Sequence, residues 1–299
     1  MSKKIKTFSG VEWQLSSLYN QIVIGILVVL VGLLILNCRT KQEHATFNKS
    51  VVSNDSLTAK SIDNQLLKKQ SAHLSETIEF NGNTFHVFLV SIKNNGLRLF
   101  LNNRSGKNYS NFQAIKAYLQ TDEKKNLVFA MNAGMFHANH QPVGLYIENK
   151  KILHPVNVDT SSRGNFFMQP NGIFAFSGDN AAVLPTFEFI KNYSSPDVFD
   201  FATQSGPMLV IDGRINPKFN AQSTSKFVRN AVGIRDDTIV FAISNEPVNF
   251  YDISSFLLDK MNCRSALFLD GSISRMYLPE LNLNELSGEF GPMIALQAE

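Results

Sequence analysis

Three apolar runs in this 299-residue chain end in side chains able to do chemistry. The run 266–269 leads into Asp270-Gly271-Ser272-Ile273-Ser274, the run 127–131 into Asn132, and the run 238–243 into Ser244-Asn245-Glu246. Each reads as a short buried strand. A carboxylate closing such a strand, followed by a glycine that permits a sharp turn, is presented at the rim of a core. An isolated Asp-Gly is ordinarily only a turn; the recurrence of the pattern points to function. If the strands are neighbours with like ends together, their polar residues converge on one rim, as in a binding cleft.

Glycine-punctuated polar segments lie between these runs: 141–144 (Gln-Pro-Val-Gly), 169–172 (Gln-Pro-Asn-Gly), 204–207 (Gln-Ser-Gly-Pro) and 229–233 (Arg-Asn-Ala-Val-Gly). Asn and Gln carry fixed neutral donors and acceptors suited to sugar hydroxyls. Arg229 offers a planar fork suited to phosphate or carboxylate. Each segment alone is turn chemistry or surface; their density is the signal.

Rival chemistries are weaker. His137 and His140 have a spacing that can bind metal, but Ala, Asn, Gln and Pro around them read as loop, and no third ligand is placed nearby. His137 alone is retained as a cleft residue, and His154 reads as a turn residue. Ser205 lacks the Gly-x-Ser-x-Gly elbow, and Ser272 and Ser274 have no identifiable base. Asp252 is explained by helix capping; Asp159, Asp212, Asp236 and Asp237 read as turn residues. The chain has two cysteines, Cys38 and Cys263, and only the second falls in the folded part, so no internal disulfide frames it.

The positioning elements are mostly strands. Hairpin signals occur at 93–96, 149–151, 177–180, 212–213 and 235–237. Helices are expected after Ser110 or Asn111, burying Phe112, Ile115 and Leu119, and after Asp252, burying Ile253, Phe256, Leu257 and Met261. About ten strands joined by hairpin-scale links give an α+β fold with mostly antiparallel sheets, a few helices and a single globular domain. A hydrophobic content of 44% with 24 Phe is ample for its core.

Residues 1–74 carry nine Lys or Arg against four Asp or Glu, so the basic surplus lies ahead of the domain. The domain itself has no positive excess with which to hold nucleic acid non-specifically. Residues 22–36 form an uninterrupted apolar or glycine run of 15 residues. It is short for a span, but Tyr19 and Cys38 extend it at the interfaces. Lys3, Lys4 and Lys6 ahead of it favour a cytoplasmic N-terminus and a body beyond the membrane, in the periplasm. The expected organisation is a cytoplasmic tail (1–21), a transmembrane or signal-anchor segment (22–38), a polar tether (39–71) and the domain (72–299). A lipoprotein anchored through Cys38 is the alternative.

Taken in order, Asn132-Ala-Gly-Met-Phe136, Pro142-Val-Gly-Leu145, Asn165-Phe-Phe with Pro170-Asn-Gly172, Gln204-Ser-Gly-Pro-Met-Leu209, Arg229-Asn-Ala-Val-Gly233, Pro247-Val-Asn-Phe250 and Leu269-Asp-Gly-Ser-Ile-Ser274 resemble the phosphodiester glycosidase family. That family includes the lysosomal uncovering enzyme acting on N-acetylglucosamine-1-phosphodiesters. The likeness is to its bacterial branch of small exported or membrane-anchored proteins. The resemblance implies strongly curved sheets, a cleft at the strand ends and hydrolysis of a glycosidic bond to a phosphate leaving group. The family tends to place a run of glycines after the aspartate, where this chain has Ser272, Ile273 and Ser274.

Cleavage of a sugar–phosphate bond passes through an oxocarbenium-like state that needs a carboxylate by the anomeric carbon and charge stabilisation at the phosphate. On this reading Asp270 is the principal carboxylate, as base or nucleophile, and Arg229 pairs with the phosphate. Glu246 is the second carboxylate. Asn132, Gly134, His137, Asn171, Gln204, Ser205, Ser272 and Ser274 form the substrate-binding set. No particular cofactor is implied, and a divalent cation on Asp270 stays open. The partners expected are a carbohydrate or sugar-phosphate substrate and the membrane. A non-catalytic envelope glycan-binding module and a structural envelope protein are the other readings; the first of these would tolerate Asp270→Asn.

Overall fold

The computed structural model describes residues 73–94, 96–193, 195, 198–270 and 273–298. Among them no helix is long and apolar enough to cross a membrane. The apolar run 22–36, the tether and the domain boundary near residue 72 lie outside the described residues, as does Ser272.

Three antiparallel sheets make the domain. The seven-stranded sheet runs in the order β1 (His73–Phe80), β2 (Asn83–Ser91), β13 (Thr238–Ser244), β12 (Asn230–Arg235), β14 (Ser265–Asp270), β10 (Met208–Ile211), β11 (Arg214–Ile215). The four-stranded sheet orders β15 (Met276–Tyr277), β4 (Asn126–Asn132), β16 (Met293–Ala298), β3 (Leu97–Phe100). The five-stranded sheet orders β6 (Lys151–His154), β5 (Tyr146–Glu148), β9 (Phe201–Ser205), β7 (Gly172–Ser177), β8 (Asn180–Pro185).

Side-chain alternation explains how they stack. On β13, Ile239, Phe241 and Ile243 face a core shared by all three sheets, while Val240 and Ala242 face the other way. Phe88, Phe129, Phe174 and Phe241 join the sheets within the shared core. The Phe88 and Phe129 rings stack at 4.2 Å, Phe129 and Phe241 lie 5.1 Å apart, and Phe174 meets Phe241 edge-on at 6.0 Å. Each outer face is covered by one short helix. Helix α1 (Phe112–Tyr118) covers the four-stranded sheet through Phe112 and Ile115. Helix α2 (Thr186–Asn192) covers the five-stranded sheet through Phe189. Helix α3 (Phe250–Ser255) covers the seven-stranded sheet through Ile253, and a π-helical turn continues it with Phe256 and Leu257.

The hairpins at 149–151, 177–180, 212–213 and 235–237 form as expected. The one at 93–96 does not. β2 pairs with β1 and β13, whereas β3 pairs with β16, so this link passes between sheets. The sheets are open and not strongly curled, contrary to the curvature expected. Three separate sheets sharing one core bury their inner faces without any one closing on itself. Asn111 caps α1 by accepting from the Ala114 N–H. At α3 the cap is Asn249 rather than Asp252; Asp252 sits at the third helical position and completes a capping box with it.

Truncating Phe129 removes the ring that touches both Phe88 and Phe241. Phe129→Ala is expected to cost about 3–5 kcal/mol in urea unfolding of the full chain followed by circular dichroism. A loss below about 1 kcal/mol would contradict the joint assigned to these rings.

Candidate functional site

Two of the three polar strand ends meet around a third side chain. β12 lies between β13 and β14 and is antiparallel to both, so their C-terminal ends fall on the same side, opposite Asn230. The β12–β14 register slips there: Ala231 faces Phe268, yet Asn230 faces Asp270. Leu269 is therefore the extra residue of a bulge, which bends the strand end and re-aims the next side chain. Asp270, 4% exposed, emerges beside Asn230 and against Asn132, both with no exposed surface.

Hydrogen bonds fix this cluster. Asn132 Nδ2 donates to Asp270 Oδ2 at 2.6 Å and to the Ile273 carbonyl at 2.5 Å. Asn132 Oδ1 accepts from Asn230 Nδ2 at 2.9 Å and from the Arg275 N–H at 2.8 Å. Asn230 Nδ2 also reaches the Asn132 carbonyl, and Asn230 Oδ1 accepts from the Asp270 N–H at 3.2 Å. Ser274 Oγ lies 3.4 Å from Asn230 Oδ1. Every hydrogen and lone pair of the Asn132 amide is engaged, so this side chain orients Asp270 instead of contacting a sugar.

Three consecutive residues of β9 hold the surrounding segments. Thr203 Oγ1 donates to the Ala133 carbonyl at 2.8 Å, just after Asn132. Ser205 Oγ donates to the Leu269 carbonyl at 2.8 Å, on the bulge before Asp270. Gln204 Oε1 accepts from the N–H groups of Leu145 and Asn157, both at 2.9 Å, and its Nε2 donates to the Asn157 carbonyl at 2.7 Å. Gly144 is the residue that admits Gln204: a Cβ there would fall 2.7 Å from Phe166 Cζ and into the Gln204 amide itself. Gln204 and Ser205 are thus structural clamps, and neither reaches the cleft. Gly134 packs on Thr203, whose Oγ1 would lie 2.5 Å from a Cβ. Asn171 is buried and does not line the cleft.

Asp270 opens into a cleft of about 840 Å³. Ile273, Phe136, Phe166 and Phe167 supply apolar wall, and His137, His140, Arg163 and Glu289 supply charge or titratable groups. His140 Nε2 sits 3.6 Å from Glu289. Of the expected substrate-binding residues, His137 lines the same cleft as Asp270.

Arg229 and Glu246 are not part of this cleft. One residue before Asn230, Arg229 points to the opposite face of the sheet, with its guanidinium 3.8 Å over the Phe250 ring. Its Nε donates to the Val248 carbonyl and its Nη2 to the Ser225 carbonyl. Burial pulls its pKa down to about 10, with Asp252 opposing. Glu246 accepts from the Asn245 amide and from the Thr84 N–H, both at 2.9 Å, hydrogen bonds that hold its carboxyl below the usual range. The carboxylate sharing the cleft with Asp270 is Glu289. Among the described residues no three His, Cys, Asp or Glu come together to hold a metal ion.

Residues 125–291 match the phosphodiester glycosidase family model. The chain belongs to the phosphodiester glycosidase family. It is 32% identical over 196 residues to the uncharacterised Escherichia coli K12 protein YigE, across 65% of this chain and 74% of that one. Two solved structures resemble it more distantly. The catalytic domain of zebrafish N-acetylglucosamine-1-phosphodiester alpha-N-acetylglucosaminidase, auto-inhibited by its pro-peptide, aligns with a TM-score of 0.48 at 15% identity, over 76% of this chain and 82% of that one. A hypothetical protein from Synechocystis aligns with a TM-score of 0.46 at 14% identity, over 75% and 61%.

In this member of the phosphodiester glycosidase family, Asn230, Thr203, Arg163 and Glu289 stand at or behind the cleft without having been singled out by the sequence pattern. Asn230 had a visible signal, since it stands beside Arg229 within a polar segment and strand alternation allows only one of the two to face inward. Asn230→Ala removes one of the two donors to Asn132 Oδ1, the side-chain donor to the Asn132 carbonyl and the acceptor of the Asp270 N–H. It is expected to cost about 1–3 kcal/mol in urea unfolding. An unchanged midpoint would show that the network does not depend on Asn230.

Proposed function

We propose that this chain hydrolyses sugar-1-phosphodiesters, with Asp270 as the carboxylate at the anomeric carbon. The observation that carries the reading is the Asn132–Asp270 bond at the floor of the cleft. Asn132 occupies Oδ2, and Asp270 is thereby fixed in one rotamer toward the cleft. Preorganisation of this kind lowers the cost of reaching the transition state.

Breaking the bond between the anomeric carbon and its oxygen releases a phosphate monoester, a good leaving group, so departure needs charge neutralisation more than a strong acid. Asp270 then stabilises positive charge at the anomeric carbon, either by attacking it or by taking a proton from water. Phe136, Phe166 and Phe167 offer flat apolar surface for a sugar ring and exclude water beside the bond that breaks. Family membership supports the reaction class; the sugar and the aglycone belong to the experiment. The apolar run 22–36, preceded by Lys3, Lys4 and Lys6, supports a membrane-tethered domain on the outer side of the cytoplasmic membrane. Protease added to spheroplasts should then remove the domain, and full protection would reverse that orientation.

The test of the activity is sugar release from a panel of sugar-1-phosphodiesters. Asp270→Asn is expected to lower turnover by about 10²–10⁴-fold while circular dichroism is unchanged. Release by neither protein, with sugars still bound, would favour a glycan-binding module.

A further inference from the structure

With Arg229 turned into the core, the phosphate of such a substrate needs another partner. The cleft holds two carboxylates, Asp270 and Glu289. A phosphodiester carries one negative charge and would be repelled by an ionised Asp270 at close range unless a cation faces it. Among the described residues lining the cleft, Arg163 is the only Lys or Arg. His140 is engaged, with Nδ1 3.0 Å from the Phe290 carbonyl and Nε2 facing Glu289. Arg275 lines a separate groove and pairs with Glu285.

Arg163 also sits on a held loop. Asn157 is fixed at both its N–H and its carbonyl by Gln204, and its Nδ2 donates to the Val143 carbonyl at 3.0 Å. Asp159 accepts from the Ser161 N–H and from the hydroxyls of Ser161 and Ser162, which closes a tight turn. These hydrogen bonds pull the Asp159 carboxyl down to about 2, so it stays ionised and acceptor-only through the physiological range. Gly164, at φ 113, then turns the chain into Asn165, Phe166 and Phe167 of the cleft wall. A glycine is needed at that angle. The buried amide of Gln204 thereby anchors the start of the loop that carries Arg163.

We propose that Arg163 is the phosphate-binding residue of the cleft. The inference rests on the sugar-1-phosphodiester reading. Arg163 donates to the non-bridging phosphate oxygens and offsets the charge of Asp270, while the sugar packs on the aromatic wall. Specificity then divides: the wall accepts the sugar, and Arg163 demands an anionic linkage.

Binding separates this from the enzymatic reading. The full chain in detergent is titrated with glucose 1-phosphate and N-acetylglucosamine 1-phosphate, beside the free sugars, by saturation-transfer NMR. Arg163→Ala is expected to weaken sugar 1-phosphate binding about ten- to a hundredfold and to leave free-sugar binding unchanged. Arg163→Lys should restore part of the loss, because the charge returns without the fork. Raising the salt concentration should weaken phosphate binding by the parent and not by Arg163→Ala. Equal weakening of sugar and sugar phosphate would make Arg163 a structural residue and overturn the proposal. Undiminished phosphate binding by Arg163→Ala would overturn it while leaving the glycosidase reading intact. A parent that binds none of the four ligands would overturn both.

Discussion

A carboxylate buried to 4% exposure has to be hydrogen-bonded, and the domain is built around meeting that demand. One partner comes from β4, in the four-stranded sheet, and Asn230 joins the two strand ends. The two sheets must then keep a fixed relation at their strand ends to within the length of a hydrogen bond. The aromatic joint of Phe88, Phe129 and Phe241 holds it from below, through packing of large rings with no slack.

The five-stranded sheet supplies the remaining constraint through β9. Thr203, Gln204 and Ser205 are all buried polar residues, and each commits its side chain to the backbone of a different cleft segment. Such bonds contribute modestly to stability one by one. Their larger effect is geometric, since an unsatisfied buried carbonyl or amide would penalise any other placement of those segments. The position of Asp270 is therefore a property of all three sheets at once.

Much of this was legible in the sequence, and the reasons are local. Apolar runs ending in Asn132 and Asp270 mark strands whose last residue leaves the core, and hairpin turns such as 235–237 state their own pairing. The family likeness was carried by short segments that the fold does place around the cleft or behind it. What the sequence could not show is which partner a side chain meets across long separation. Gln204 and Ser205 look like ligands for sugar because amides and hydroxyls bond sugar and backbone alike. Arg229 looks like a phosphate fork, yet strand alternation sends it to the face opposite Asn230. The bulge at Leu269 was equally hidden, since an extra residue in a strand leaves no mark in an apolar run. The stretch 93–96 reads as a hairpin because its turn chemistry is right, while the strands on either side find better apolar partners in different sheets.

The central claim is that Asp270, fixed by Asn132, stands at the anomeric carbon of a sugar-1-phosphodiester. The most direct measurement is a crystal structure of the Asp270→Asn variant with an intact sugar-1-phosphodiester bound. The expected result is the anomeric carbon facing the side chain at position 270, the sugar ring against Phe136, Phe166 and Phe167, and the phosphate turned toward Arg163. A sugar bound elsewhere on the domain, with the 840 Å³ cleft filled only by solvent, would contradict it.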